Sequence, residues 1–154
     1  MKKIVSIFLG SALIFTSSVA MACSCRPLTV NEKYQNADAV FVGKVIKLEK
    51  TGIDNKNANA ASKPLKEDMN FGRHIYTIEV KKVYKGENIT KKVRVTTASN
   101  SASCGVNYEM NKKYVIYGIT ADAEDNAAYS TNICMHPLQS NCKEIKAIKQ
   151  TIKR

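Results

Sequence analysis

The strongest constraint on the fold of this chain is a succession of five β-rich runs separated by polar breaks. "DAVFVGKVIKLEK" (38–50) is rich in Val and Ile, and charges alternate through its second half. "RHIYTIEVKKVY" (73–84) sets Tyr76, Ile78 and Val80 against Thr77, Glu79 and Lys81. "KKVRVTTA" (91–98) puts Val93 and Val95 on one face, and "KKYVIYGITA" (112–121) and "AAYSTNIC" (127–134) complete the set. Alternation of period two is the mark of a half-buried strand. Turn-forming residues punctuate the runs in "KGEN" (85–88), "SNSASCG" (99–105) and "AEDN" (123–126), where Gly, Asn and Ser favour reversals. The polar, Asn/Ala-rich stretch 51–72 reads as a long mobile loop or a β-ribbon.

Two helices flank the strands. Thr29 followed three residues later by Glu32 is a capping-box pattern that opens one or two helical turns. At the other end, 140–153 carries Ile145, Ile148 and Ile152 at helical spacing between lysines, which predicts an amphipathic helix docked on the strands. Five strands without a βαβ rhythm indicate an all-β fold, and their number and order suit a five-stranded OB-like Greek-key barrel. The tyrosines read as barrel packing with exposed hydroxyls.

Residues 1–22 read as a secretory leader. Lys2 and Lys3 precede the apolar run 4–15, and Ala20 and Ala22 form an A-x-A cleavage site. The run falls short of the roughly 20 apolar residues that span a bilayer as a helix. Cleavage after Ala22 leaves 23–154 as a single domain, exported to the periplasm or secreted. The formal net charge of +11 falls by two with Lys2 and Lys3 and stays strongly basic. Export argues against a nucleic-acid partner, and lysines spaced along strands and helix read as a solvated surface.

All five cysteines (Cys23, Cys25, Cys104, Cys134 and Cys142) fall in the exported part, where disulfides are the default. An odd count leaves at least one unpaired, intermolecular or modified. Cys23 and Cys25 are too close to pair easily with each other, so each reaches a distant partner, and Cys104 and Cys134 are the nearest available. There is no C-x-x-C, and the two histidines, His74 and His136, show no ligand spacing. The chain therefore offers no metal site of its own and calls for no cofactor. Two bridges within three residues would strap the terminus flat against two loops. A rigid α-amine beside a carbonyl is a bidentate ligand for a metal ion held by another protein. No activated nucleophile or carboxylate pair marks an enzyme.

At these residues the chain resembles the tissue inhibitors of metalloproteinases. The likeness runs from "CSCRP" through "NADAVFVGKV", "YTIEVKKVYKG", "TTASNSASCGV", "KKYVIYG" and "NIC", which covers the N-terminal inhibitory domain of that family. The resemblance implies an OB-like, netrin-like module that inhibits zinc metalloproteases. It implies that the Cys23 amine and carbonyl chelate the target's catalytic zinc, with Ser24 entering the substrate pocket. Cys25, Arg26 and Pro27 would run along the cleft, and Ala102 and Ser103 would fill its other side. It implies the pairs Cys23–Cys104 and Cys25–Cys134. Cys142 is then the odd thiol, unpaired in a monomer or linking a dimer.

The chain departs from that family's pattern in three ways. Gln35 stands where one partner of a third cystine is expected, the 51–72 stretch shares no motif, and the chain ends before the second cysteine-rich domain of animal members. Two other readings follow from the same residues. One is a non-inhibitory netrin-like binding or adhesion module that uses its basic surface and the 51–72 stretch. The other is a lipoprotein acylated at Cys23, the only route to a membrane, although Met21 fits a lipidation box poorly. Acylation would abolish zinc chelation.

Overall fold

The computed structural model describes residues 23–51, 72–122, 126–137 and 141–153. Its elements, in chain order, are α1 (Val30–Asn36), β1 (Ala39–Thr51), β2 (Arg73–Lys85), β3 (Lys92–Ala98), β4 (Lys113–Thr120), β5 (Tyr129–Ser130) and α2 (Asn141–Ile152), with a 3-10 turn at Ser101–Ser103 between β3 and β4. The leader read at 1–22 and all but the ends of the 51–72 stretch lie outside the described residues.

The strands close into a barrel in the order β1-β2-β3-β5-β4, the OB-like all-β architecture expected from the strand pattern. Neighbours are antiparallel except β3 and β5, which run parallel. β1 pairs with β2 along its whole length and with β4 along its first half. Three register shifts interrupt its ladder with β2, and such bulges sharpen the coiling that lets one strand serve two neighbours. Gly43 lies beside one of them, where a Cβ would run into the Ile78 side chain.

The core has two layers. Ala39, Phe41, Val45, Tyr76, Ile78, Val95 and Ile116 fill the barrel. Val40, Val115, Tyr117, Met135 and Ile148 form a second layer outside it, under α1 and α2. Consecutive residues of β1 and β4 thus point into different cores. The segment "AVFV" is an unbroken apolar run because both of its faces are covered.

Three expectations need correction. The fifth strand was read over 127–134 but pairs only at Tyr129–Ser130. Beyond it the Asn132 side chain accepts from the amides of Cys134 (3.0 Å) and Met135 (3.2 Å), which curls the chain into a turn. The vacated edge of β4 is met by Asn141, whose amide donates to the Lys113 carbonyl (2.6 Å) and accepts from the Val115 amide (3.2 Å). This pins the start of α2 to the barrel.

The second correction concerns the buried stripe of α2. Ile148 is fully buried, but Ile152 is 48% exposed and Glu144 only 1%. Ile145 packs against the same core as Ile148, so only Ile152 leaves the isoleucine stripe, and Glu144 joins the inward face in its place. The cause is polar. Glu144 turns in to accept from the Tyr117 hydroxyl (2.7 Å) and to face Lys33 of α1 (3.8 Å), itself 2% exposed.

The third correction follows from the same burial, because the core tyrosine hydroxyls are not at the surface. Tyr117 donates to Glu144, and Tyr76 accepts from the Tyr108 amide (3.3 Å). Burial raises the Tyr76 phenol and pushes that of Tyr108 well above the ordinary value, and at Tyr117 the neighbouring Glu144 carboxylate adds to the effect of burial.

Candidate functional site

Residues 23–29 cross one end of the barrel without regular structure before Thr29 opens α1. Two bridges hold them there, Cys23–Cys104 and Cys25–Cys134. The four sulfurs lie within 4.8 Å of one another, so the two cystines stack side by side. Paired in this way, they have no thiolate to offer a metal. The bridges span sequence separations of 81 and 109 residues. In the chain-entropy model, closing a loop of the smaller size contributes about 4.5 kcal/mol, and the second bridge adds less because the first already confines the chain.

Each receiving loop is built to hold its cysteine. In the loop after β3, the Asn100 side chain accepts from the Ser103 amide (2.8 Å) and caps the 3-10 turn. Cys104 then takes a left-handed conformation (φ 61°), which is uncommon for a side-chain-bearing residue. Three backbone bonds and the bridge determine it: Cys104 N–H to Ser101 (3.1 Å), Gly105 N–H to Asn100 (2.8 Å) and Ile133 N–H to the Cys104 carbonyl (2.9 Å). The last of these ties the Cys104 loop to the Cys134 loop. Gly105 must be glycine, because a Cβ there would collide with the Ala98 carbonyl.

The structure brings most of the residues singled out in sequence to one edge. Cys23 is half-buried and Ser24 exposed, beside a turn where Ala102 is exposed and Ser103 half-buried. Arg26 and Pro27 follow, both exposed. A pocket of about 280 Å³ opens against the cystines, lined by Pro27, Leu28, Ser101 and Ile133 among others. Ile133, 43% exposed, escaped the sequence reading because it lay inside a run taken as strand. The Asn100 cap was legible as Asn three residues before Ser103, a side-chain-to-backbone spacing. Cys142 stands apart as an exposed free thiol on α2.

Arg26 does not lie free along the edge. Its guanidinium donates to Glu32 at 2.8 Å. The second Glu32 oxygen accepts from the Thr29 amide (2.8 Å) and hydroxyl (2.9 Å), while the Thr29 hydroxyl accepts from the Glu32 amide (3.2 Å). The Thr29 amide first, then Arg26 and the Thr29 hydroxyl, hold the Glu32 carboxyl down to about 2. The next residue, Lys33, donates to the His136 carbonyl (3.0 Å) in the turn that follows Cys134. His136 packs against Tyr108 and Tyr114, and burial, aided by Lys33, lowers its pKa.

The family profile described as tissue inhibitor of metalloproteinase matches residues 21–145. Metalloproteinase inhibitor 3 of Scyliorhinus torazame is 31% identical over 121 residues, which cover 77% of this chain and 50% of that protein. Its counterpart in Gallus gallus is 31% identical over 119 residues, 72% and 49% of the two chains. The tissue inhibitor of metalloproteinase of Drosophila melanogaster is 24% identical over 119 residues, 75% and 49%. The chain spans about half the length of these curated relatives. Among the described residues, no helix is long and apolar enough to cross a membrane.

Proposed function

Because the chain belongs to the tissue inhibitor of metalloproteinase family, we propose that it is an exported inhibitor of zinc metalloproteases that acts through a terminus at Cys23. Removal of 1–22 leaves 23–154 as the working domain and frees the Cys23 α-amine. That amine has an ordinary pKa near 8, so the target's zinc displaces its proton at little cost near neutral pH. The amine and the Cys23 carbonyl then occupy the position of the attacking water on the zinc, which removes the nucleophile such proteases need. Ser24 enters the adjoining side-chain pocket, and Cys25 to Pro27 lie along one side of the cleft with Ala102 and Ser103 on the other. In this role the chain is a ligand and not a catalyst.

The observation that carries this reading is the double strap. Two neighbouring cystines fix three consecutive residues against two loops that are themselves hydrogen-bonded together. An edge ordered before binding avoids much of the entropy cost of association. The test is inhibition of a panel of zinc metalloproteases by chain purified from an exporting host, with its amino terminus defined by mass. Inhibition of at least one protease with one-to-one stoichiometry is expected. Failure against the whole panel, with salt-sensitive binding to anionic glycans that is indifferent to blocking of the amine, would replace it with the adhesion reading. An acylated Cys23 would replace it with the lipoprotein reading.

A further inference from the structure

Neighbouring residues of α1 reach opposite arms of the Cys25–Cys134 bridge. Glu32 holds Arg26, one residue beyond Cys25, and Lys33 holds the carbonyl of His136, two residues beyond Cys134. The cystine joins the two arms covalently, and α1 fixes the angle at which they leave it. The Glu32 contact is set by the cap: Thr29 donates twice to Glu32 Oε2, which leaves Oε1 for the guanidinium. The Lys33 contact is set by burial, with the ammonium between the His136 carbonyl, Glu144 and the Tyr117 ring. A disulfide leaves torsional freedom about its own bonds. Two anchors on one helical turn restrict it further.

We infer that Glu32 is a positioning residue for the inhibitory edge, and that Arg26 serves it as a brace and not as a contact to the target. This rests on the proposed inhibitor reading, and it changes what Arg26 does there. An exposed arginine on a cleft-filling segment suggests recognition of an acidic subsite. Here its charge is already committed to Glu32, and the inhibitor reads such a subsite weakly.

The experiment is a double-mutant cycle on the full mature chain with Arg26→Ala, Glu32→Gln and the two combined. Glu32→Gln keeps a capping side chain at the third helical position and removes the charge that holds Arg26. Inhibition constants are measured against a protease that the wild-type chain inhibits. Melting temperature and NMR order parameters of the Ser24–Arg26 amides are recorded in parallel. Each single substitution is expected to weaken inhibition about two- to fivefold, the range of an exposed charge pair. The double variant should be no worse than either single one, with melting temperatures lowered by no more than a few degrees and lower NMR order parameters at Ser24–Arg26 in all three.

Weakening by Arg26→Ala with none by Glu32→Gln would overturn the inference and make Arg26 a target contact. Unchanged order parameters in both single variants would also overturn it. If the wild-type chain inhibits no protease, the inhibitor reading fails, and the order parameters still decide whether Glu32 orders the edge.

Discussion

Lys33 and Glu144 face each other across the junction of α1 and α2 at 3.8 Å, both almost completely buried, and the same ammonium donates to the His136 carbonyl. Taking two charges out of water is expensive, and the cost is recovered only while each keeps its partners. The pair therefore makes a weak case as a source of stability and a strong one as a point of vulnerability. It also links α2, which lies outside the barrel, to the turn carrying Cys134.

Lys33→Met should accordingly destabilise the fold by about 3 kcal/mol, since it removes the ion-pair partner of a buried carboxylate. Lys33→Met combined with Glu144→Leu should recover a substantial part of that loss, because the second change removes the buried charge. Urea unfolding of the two variants measures both. A single variant within 1 kcal/mol of wild type would contradict the account.

Glu32 makes the cap dependent on pH. Its carboxyl sits near 2 in the folded chain, against roughly 4.3 for an unperturbed glutamate. A carboxylate with a depressed folded pKa contributes stability that is complete above its unfolded value and is lost as pH falls toward its folded one. The stability difference between wild type and Glu32→Gln should therefore be constant above about pH 5 and shrink toward pH 2. A difference that stays flat through that window would mean that the carboxylate is not held as described.

Gly105→Ala tests the loop that receives Cys23. The added methyl meets the Ala98 carbonyl, and a backbone neighbour cannot step aside as a flexible side chain does. Overpacking of this kind costs about 1–3 kcal/mol. The displaced loop carries Cys104 and, through it, Cys23. Inhibition should fall together with stability, and denaturant unfolding beside an inhibition constant reads both.

What the sequence disclosed depended on which interactions leave a local pattern. Alternation exposed β2 and β3, because one face of each looks into the barrel. The Thr29 and Glu32 spacing exposed the start of α1, and "CSCRP" exposed the edge. The second core left no such trace. Val115 and Tyr117 are buried by helices far away in sequence, and no local period reports a cover of that kind. Nothing in the sequence marks Lys33 and Glu144 for burial, because each is tolerable inside only through its partners. The end of β5 was misread for a related reason: Asn132 bonds its own neighbours' amides and outcompetes the ladder in a run that otherwise suits a strand.

Cys142 should be the one thiol that native protein offers to an alkylating agent, since the other four cysteines are bridged. Cys142→Ser should abolish labelling and any reducible dimer, and should leave stability within about 0.5 kcal/mol, as expected of an exposed position. Mass spectrometry after labelling without reductant counts the adducts. Two or more per chain would mean that a bridge is open.

The central claim is that the free amine of Cys23 is the inhibitory ligand. It is tested most directly by comparing a chain that begins at Cys23 with one carrying a single extra alanine before it. Both have identical cystines, and inhibition by each is measured against the same zinc metalloprotease. The account predicts that the extended chain folds equally well and loses inhibition by at least about a hundredfold, since the amine is converted to an amide that cannot bind zinc. Equal inhibition by the two chains would contradict it.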